Sequence, residues 1–170
     1  DEEAILAPND FYYLTCHREE NTKDSNALDA ILSTLDDLDA PVVYPVHPRN
    51  REIVKAKKEN FKNIIFCKPV GYLESIYLVS HAKQVVTDSG GLQREAFFAG
   101  TKCTTILDFE VWPETMVQNR NILARPDKSS ILSAMQKPQI VDNNYCPFGK
   151  GDASSKIVSA IRDFLKAEVL

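Results

Sequence analysis

The chain has 170 residues, 44% hydrophobic and 26% charged, with a formal net charge of −4. That is enough sequence for one globular domain with a substantial core, while 20 basic against 24 acidic residues leave no positive field suited to a nucleic-acid backbone. Polar residues interrupt every apolar stretch well before the roughly 18 positions a membrane helix requires, and the opening residues lack the basic and apolar regions of a secretory signal, so a cytoplasmic location without membrane contact is expected.

Cys16, Cys67, Cys103 and Cys146 form no CxxC pair and have no short Cys/His spacing, so neither a zinc site nor a disulfide framework is expected. Three of them lie in strand-like runs (FYYLTC, IIFC, KCTTIL), where a reduced thiol serves as a small hydrophobe. The chain opens with the acidic stretch DEE and no methionine, and it is expected to be part of a longer protein.

The first predicted strand, FYYLT over 11–15, runs into TCHREEN, which places His17 and Arg18 just past its end. A helix follows over 25–38, with Leu28, Ile31, Leu32, Leu35 and Leu38 on one face at 3-4 spacing. VVYPV (42–46) is the second strand, and beyond it His47 sits between Pro45 and Pro48, which restrict the backbone around it. A helix over 51–60, the strand NIIF (63–66) and a helix over 73–82 lead to the fourth strand, QVVT (84–87). That strand opens into TDSGGLQREA, whose LQREAFFAG portion is helical. TTIL (104–107) and a weaker NILA (121–124) complete the strands. Trp112-Pro113 reads as a helix start with the indole packed on the core, and CPFGKGDAS as a turn and helix cap. The last helix, over 154–170, carries Ile157, Ala160, Ile161, Phe164 and Leu165 on one face.

Apolar strands alternating with amphipathic helices, without a linker or repeat, predict a doubly wound α/β domain with a parallel sheet covered on both faces. Such sheets bind ligands beyond the carboxyl ends of their strands, which makes the segments at His17, His47 and Ser89 the ones to read for function. The glycines at 90 and 91 allow close backbone approach, and the unpaired amides of the following helix, backed by its dipole, suit a phosphate or diphosphate. Ser89 can add a hydroxyl, and Glu95, one turn further along, can accept from ribose hydroxyls. Taken alone, Asp88-Ser89-Gly90-Gly91 fits an ordinary helix cap as well as an anion site, and His17 alone fits a structural histidine. His81 falls inside a helix and is read as structural or exposed. The absence of GxxxxGK[ST], GxGxxG and GxSxG disfavours a Walker-type NTPase, the usual NAD or FAD site and the simplest hydrolase.

TCHREEN, YPVHPRN, TDSGGLQREA and CPFGKGDASSKIV, in this order, resemble the C-terminal half of the non-hydrolysing UDP-N-acetylglucosamine 2-epimerases, and the likeness spans essentially the whole chain. The resemblance implies a GT-B architecture of two Rossmann-like domains, with residues 1–170 as the UDP-binding C-terminal domain and the N-terminal domain absent. It implies that Ser89, Gly90 and Gly91 take the diphosphate and Glu95 the ribose, and that His17 is catalytic. Arg18 and His47 would line the cleft, where some bacterial members bind a second, activating UDP-sugar. The implied reaction inverts C2 of UDP-GlcNAc to give UDP-ManNAc, through elimination and re-addition of UDP. The acid and base at C2 would come from the missing domain, so the isolated chain is expected to be inactive. No cofactor or metal is implied. The full-length enzyme is expected to be a homodimer serving cell-envelope polysaccharide biosynthesis.

The chain departs from the family pattern at three places. Arg94 replaces the first of two acidic residues, and LDFEVWPE has Leu107 and Trp112 where arginines are usual. Ser75 stands where an aromatic often shapes the uracil pocket, which shifts the expected base contact to backbone near Tyr72. The tryptophan resembles relatives that act on modified UDP-sugars, so an epimerase of a modified UDP-HexNAc is one alternative. A GT-B glycosyltransferase domain and a non-catalytic nucleotide-sugar-binding module are the others.

Overall fold

The computed structural model describes residues 10–23, 25–140, 142 and 144–167; the acidic opening and the end of the predicted terminal helix lie outside them. The strands are β1 (Tyr12–Thr15), β2 (Val42–Pro45), β3 (Ile64–Cys67), β4 (Gln84–Thr87), β5 (Cys103–Ile106) and β6 (Asn121–Ala124). Their positions match the apolar runs of the sequence, with β3 and β5 displaced by one residue. All pairs are parallel, in the order β3-β2-β1-β4-β5-β6. This is a doubly wound Rossmann-like sheet, and its strand order reverses between β1 and β4.

The helices are α1 (Glu19–Thr22), α2 (Ser25–Asp36), α3 (Arg51–Lys57), α4 (Tyr72–His81), α5 (Gly90–Ala99), α6 (Lys128–Gln136) and α7 (Ala153–Ala167). Side-chain alternation along the strands divides the core in two. Tyr12 and Leu14 pack with Tyr44, Val86 and Ile106 beneath α2, α3 and α6, whereas Tyr13 joins Val43, Val85 and Cys103 beneath α4 and α5. The predicted stripe of α2 is fully buried at Leu28, Ile31, Leu32 and Leu35. Helix α7 forms as the periodicity predicts, but its apolar stripe is exposed at Ile157, Ile161, Phe164 and Leu165.

Two features depart from expectation. Helix α6 was not among the expected helices, although Ile131, Leu132, Ala134 and Met135 fall at helical spacing; it is started by Asp127, whose carboxylate accepts from the Ser130 amide, and anchored by Ile131 and Met135. Trp112 does precede a 3₁₀ helix, Pro113–Asn119, but its indole does not pack on the core. A left-handed backbone (φ 61°) turns it outward, beneath the Arg94 guanidinium at 4.1 Å, with 36% of the residue exposed.

Candidate functional site

Strands β2, β1 and β4 are consecutive in the sheet, so the segments after them meet at one edge. Thr15 and Thr87 are register partners at the ends of β1 and β4, and their hydroxyls lie 2.6 Å apart. Beyond them opens a cavity of about 280 Å³ whose wall includes His17, His47, Ser75, Ser89, Gly91 and Glu95. It lies at the reversal of strand order, where open α/β sheets receive ligands.

The start of α5 forms one wall. The Ser89 hydroxyl caps the helix by accepting from the Leu92 amide at 3.4 Å, while the Gln93 amide donates to the Ser89 carbonyl at 3.0 Å. The Gly90 and Gly91 amides precede any intrahelical partner and are the helix's ready anion donors. The two glycines serve different neighbours. A Cβ at Gly90 would lie 2.9 Å from Val111 Cγ1 and 3.3 Å from the Trp112 indole nitrogen, whereas one at Gly91 would meet nothing nearer than Ser89 Oγ at 3.6 Å. Gly90 admits the loop above the helix, and Gly91 borders the cavity. The fully buried Gln93 fastens that loop, its amide donating to the Val111 carbonyl and the Thr115 hydroxyl, each at 2.6 Å.

Asp88, fully buried directly after β4, organises the opposite wall. Its carboxylate accepts from the His17 amide (2.9 and 3.1 Å), the Arg18 amide (2.8 Å) and the Asn21 side chain (3.3 Å). His17 Nδ1 lies 3.2 Å from Oδ1 of the same group. The hydrogen bond to Asp88 raises the pKa of His17 against the opposing effect of burial. Burial pushes Asp88 upward, but the hydrogen bonds from the His17 ring and the two amides hold it below the usual carboxylate range. The His47 ring stacks on His17, and its Nδ1 accepts from the Arg49 amide at 3.3 Å. Burial lowers its pKa, as do the charges of His17 and Arg49.

Of the residues singled out in the sequence, His17, His47, Ser89, Gly91 and Glu95 share the cavity wall. Three are not on that wall: the Arg18 guanidinium lies over the Phe109 ring at 5.5 Å, the Cβ direction of Gly90 points to Val111 and Trp112 while its amide belongs to the first turn of α5, and Tyr72 is 68% exposed on α4. The segment before Tyr72 borders the cavity at Pro69 and Val70. Ser75 is paired with the Tyr13 hydroxyl at 3.1 Å, and both residues line the pocket floor. Sequence reasoning missed the pairing of Asp88 with His17; the available signal was an acid directly after one strand and a histidine two residues after another. Among the described residues, no three His, Cys, Asp or Glu side chains are grouped to hold a metal ion, and no helix is long and apolar enough to cross a membrane.

A UDP-N-acetylglucosamine 2-epimerase homolog from Methanococcus maripaludis is 36% identical over 95% of this chain and 47% of its own length. A UDP-2,3-diacetamido-2,3-dideoxy-D-glucuronate 2-epimerase from Pseudomonas aeruginosa is 36% identical over 91% of this chain and 45% of its own. The crystal structure of the Methanocaldococcus jannaschii UDP-GlcNAc 2-epimerase in complex with UDP-GlcNAc and UDP superposes with a TM-score of 0.78 and 31% identity, over 92% of this chain and 46% of that one. The chain thus spans about half the length of the relatives it matches. The family model described as UDP-N-acetylglucosamine 2-epimerase matches residues 1–162, and the chain belongs to that family.

Proposed function

We propose that this chain is the UDP-binding C-terminal half of a sugar-nucleotide 2-epimerase that interconverts UDP-GlcNAc and UDP-ManNAc. The observation that carries this reading is the convergence of the α5 N-terminus, Glu95 and the His17–Asp88 pair on one cavity at the strand-order reversal. The diphosphate receives the Gly90 and Gly91 amides and the Ser89 hydroxyl, and Glu95 receives the ribose. The floor at Tyr13, Ser75 and Val70 takes the uracil ring.

In the forward reaction a base removes the proton from C2 as the C1–O bond to UDP breaks, leaving 2-acetamidoglucal and UDP. An acid then delivers a proton to the opposite face of C2 as the UDP oxygen re-forms the bond to C1. This half stabilises the charge that develops on departing UDP, through the helix amides and a protonated His17. The acid and base at C2 belong to the other half of the protein, so the isolated chain binds UDP without turning over a UDP-sugar. The complete enzyme is proposed to be a cytoplasmic homodimer supplying envelope polysaccharide synthesis.

The full-length protein incubated with UDP-GlcNAc in D2O tests the reaction. UDP-ManNAc carrying deuterium at C2 is expected, and recovery of unlabelled UDP-GlcNAc would contradict it. The likeness to the P. aeruginosa enzyme favours one second reading, a modified UDP-HexNAc as substrate. Faster deuterium incorporation into UDP-2,3-diacetamido-2,3-dideoxy-D-glucuronate than into UDP-GlcNAc would select it.

A further inference from the structure

We propose that Asp88 is a positioning residue that makes nucleotide binding depend on protonation of His17; the coupling rests on the nucleotide-binding reading above. The argument begins with satisfaction. The buried Asp88 carboxylate accepts from two backbone amides and from Asn21, whose side chain also donates to the Ile106 carbonyl at the end of β5 at 3.0 Å. An acid ringed by donors remains ionised, and an ionised oxygen 3.2 Å from Nδ1 requires that this nitrogen carry the hydrogen.

The tautomer of neutral His17 is thereby fixed as Nδ1–H, and Nε2 is left as a bare acceptor. A lone pair facing phosphate oxygens is repulsive. Protonated, the same nitrogen becomes a charge-assisted donor. A diphosphate at Ser89 and Gly91, in the cavity that His17 also lines, therefore binds the imidazolium and takes up a proton wherever the free ring is neutral.

The surrounding charges set the balance. Asp88 favours the imidazolium from the turn before α5, while Arg18, next to His17 in the segment after β1, and Arg49 from beyond β2 oppose it. His47 stacks on the ring, Glu19 and Lys23 border a neighbouring cavity with His17 and Arg49, and Glu95 faces it from α5 across the nucleotide cavity. Of these, only Asp88 is fully buried and in hydrogen-bonding contact with the His17 ring.

Nitrogen-15 NMR of the histidines in this chain, without ligand, tests the positioning directly. The Nδ1–H tautomer at high pH and a His17 midpoint above the ordinary imidazole value of about 6.5 are expected. An Nε2–H tautomer, or a midpoint at or below that value, would overturn the proposal. Asp88→Asn is expected to lower the midpoint; a lower melting temperature with an unchanged midpoint and tautomer would mean that Asp88 only braces the loops. If Asp88→Asn does not fold, the wild-type spectrum and the binding profile of His17→Gln decide. UDP-GlcNAc, whose diphosphate does not titrate near neutrality, should bind up to about tenfold more weakly per pH unit above the His17 midpoint, and His17→Gln should flatten that slope. An unflattened slope would overturn the coupling. Failure of both UDP and UDP-GlcNAc to bind at any pH would instead overturn the nucleotide reading, which the ligand-free spectrum does not depend on.

Discussion

The rings of His17 and His47 stack with centroids 5.4 Å apart and planes inclined by 26°, yet their surroundings drive them in opposite directions. Asp88 raises the pKa of His17, whereas burial and the neighbouring positive charges lower that of His47. The stabilisation from His17 is fully present below its unfolded value near 6.5 and is lost as pH rises through the higher folded value. The fold favours neutral His47, so stability falls as pH drops from about 6.5 through its lower folded value. These two residues together should place a maximum in melting temperature close to pH 6.5. His17→Gln should flatten the alkaline side and His47→Gln the acidic side, as read by thermal melts from pH 5 to pH 8; unchanged profiles in both variants would contradict the opposed shifts.

The two glycines of the SGG turn should separate stability from binding. Gly90→Ala puts a methyl 2.9 Å from Val111 Cγ1 and is expected to cost about 1–3 kcal/mol as the loop over α5 is pushed away. Gly91→Ala meets only ordinary contacts, so its melting temperature should stay near wild type while UDP affinity falls, because the added methyl borders the cavity. Denaturant unfolding and calorimetry on both variants check this, and the reverse pattern would contradict the assignment.

Gln93→Leu tests the fastening of the same loop. The substitution nearly preserves volume but leaves the Val111 carbonyl and the Thr115 hydroxyl without their donor in a buried setting, at a cost of about 1–3 kcal/mol. A change below about 0.5 kcal/mol would mean that the loop is held by other contacts.

The four cysteines should differ sharply towards a thiol reagent. Cys16 and Cys103 are buried, and burial pushes the Cys103 thiol up to about 12. Burial also raises the half-buried Cys67, whereas Cys146 is exposed. One fast-reacting thiol is expected in the folded chain, absent in Cys146→Ser, with all four reacting in denaturant. Rapid modification of Cys103 in native buffer would contradict the placement of β5.

Glu95→Ala should weaken UDP binding about tenfold while leaving inorganic pyrophosphate nearly unaffected, if the carboxylate holds the ribose. Equal loss for both ligands, measured by competition, would remove Glu95 from that role.

Much of this architecture was legible in the residues. Runs such as QVVT and VVYPV have no helical periodicity, and buried parallel strands need only β-branched apolar character, so all six were readable. The strand-end segments at His17, His47 and Ser89 were readable for the same reason. The partnership between His17 and Asp88 was not, because it depends on β4 lying beside β1, and periodicity within each strand says nothing of strand order. The outward turn of Trp112 escaped because a left-handed residue before proline leaves no mark on composition. Where the Arg18 guanidinium lies was not legible either: Asp88 binds its backbone amide and Phe109 offers a ring, so it sits off the cavity wall that the adjacent His17 lines.

The most direct test of the account is a calorimetric titration of this chain with UDP, alongside inorganic phosphate and NAD. Saturable one-to-one binding of UDP, abolished by Glu95→Ala together with His17→Gln and absent for NAD, is the predicted result. Binding of NAD in preference to UDP, or UDP affinity unchanged in the double variant, would contradict the assignment of the cavity at Ser89, Gly91 and Glu95 as the nucleotide site.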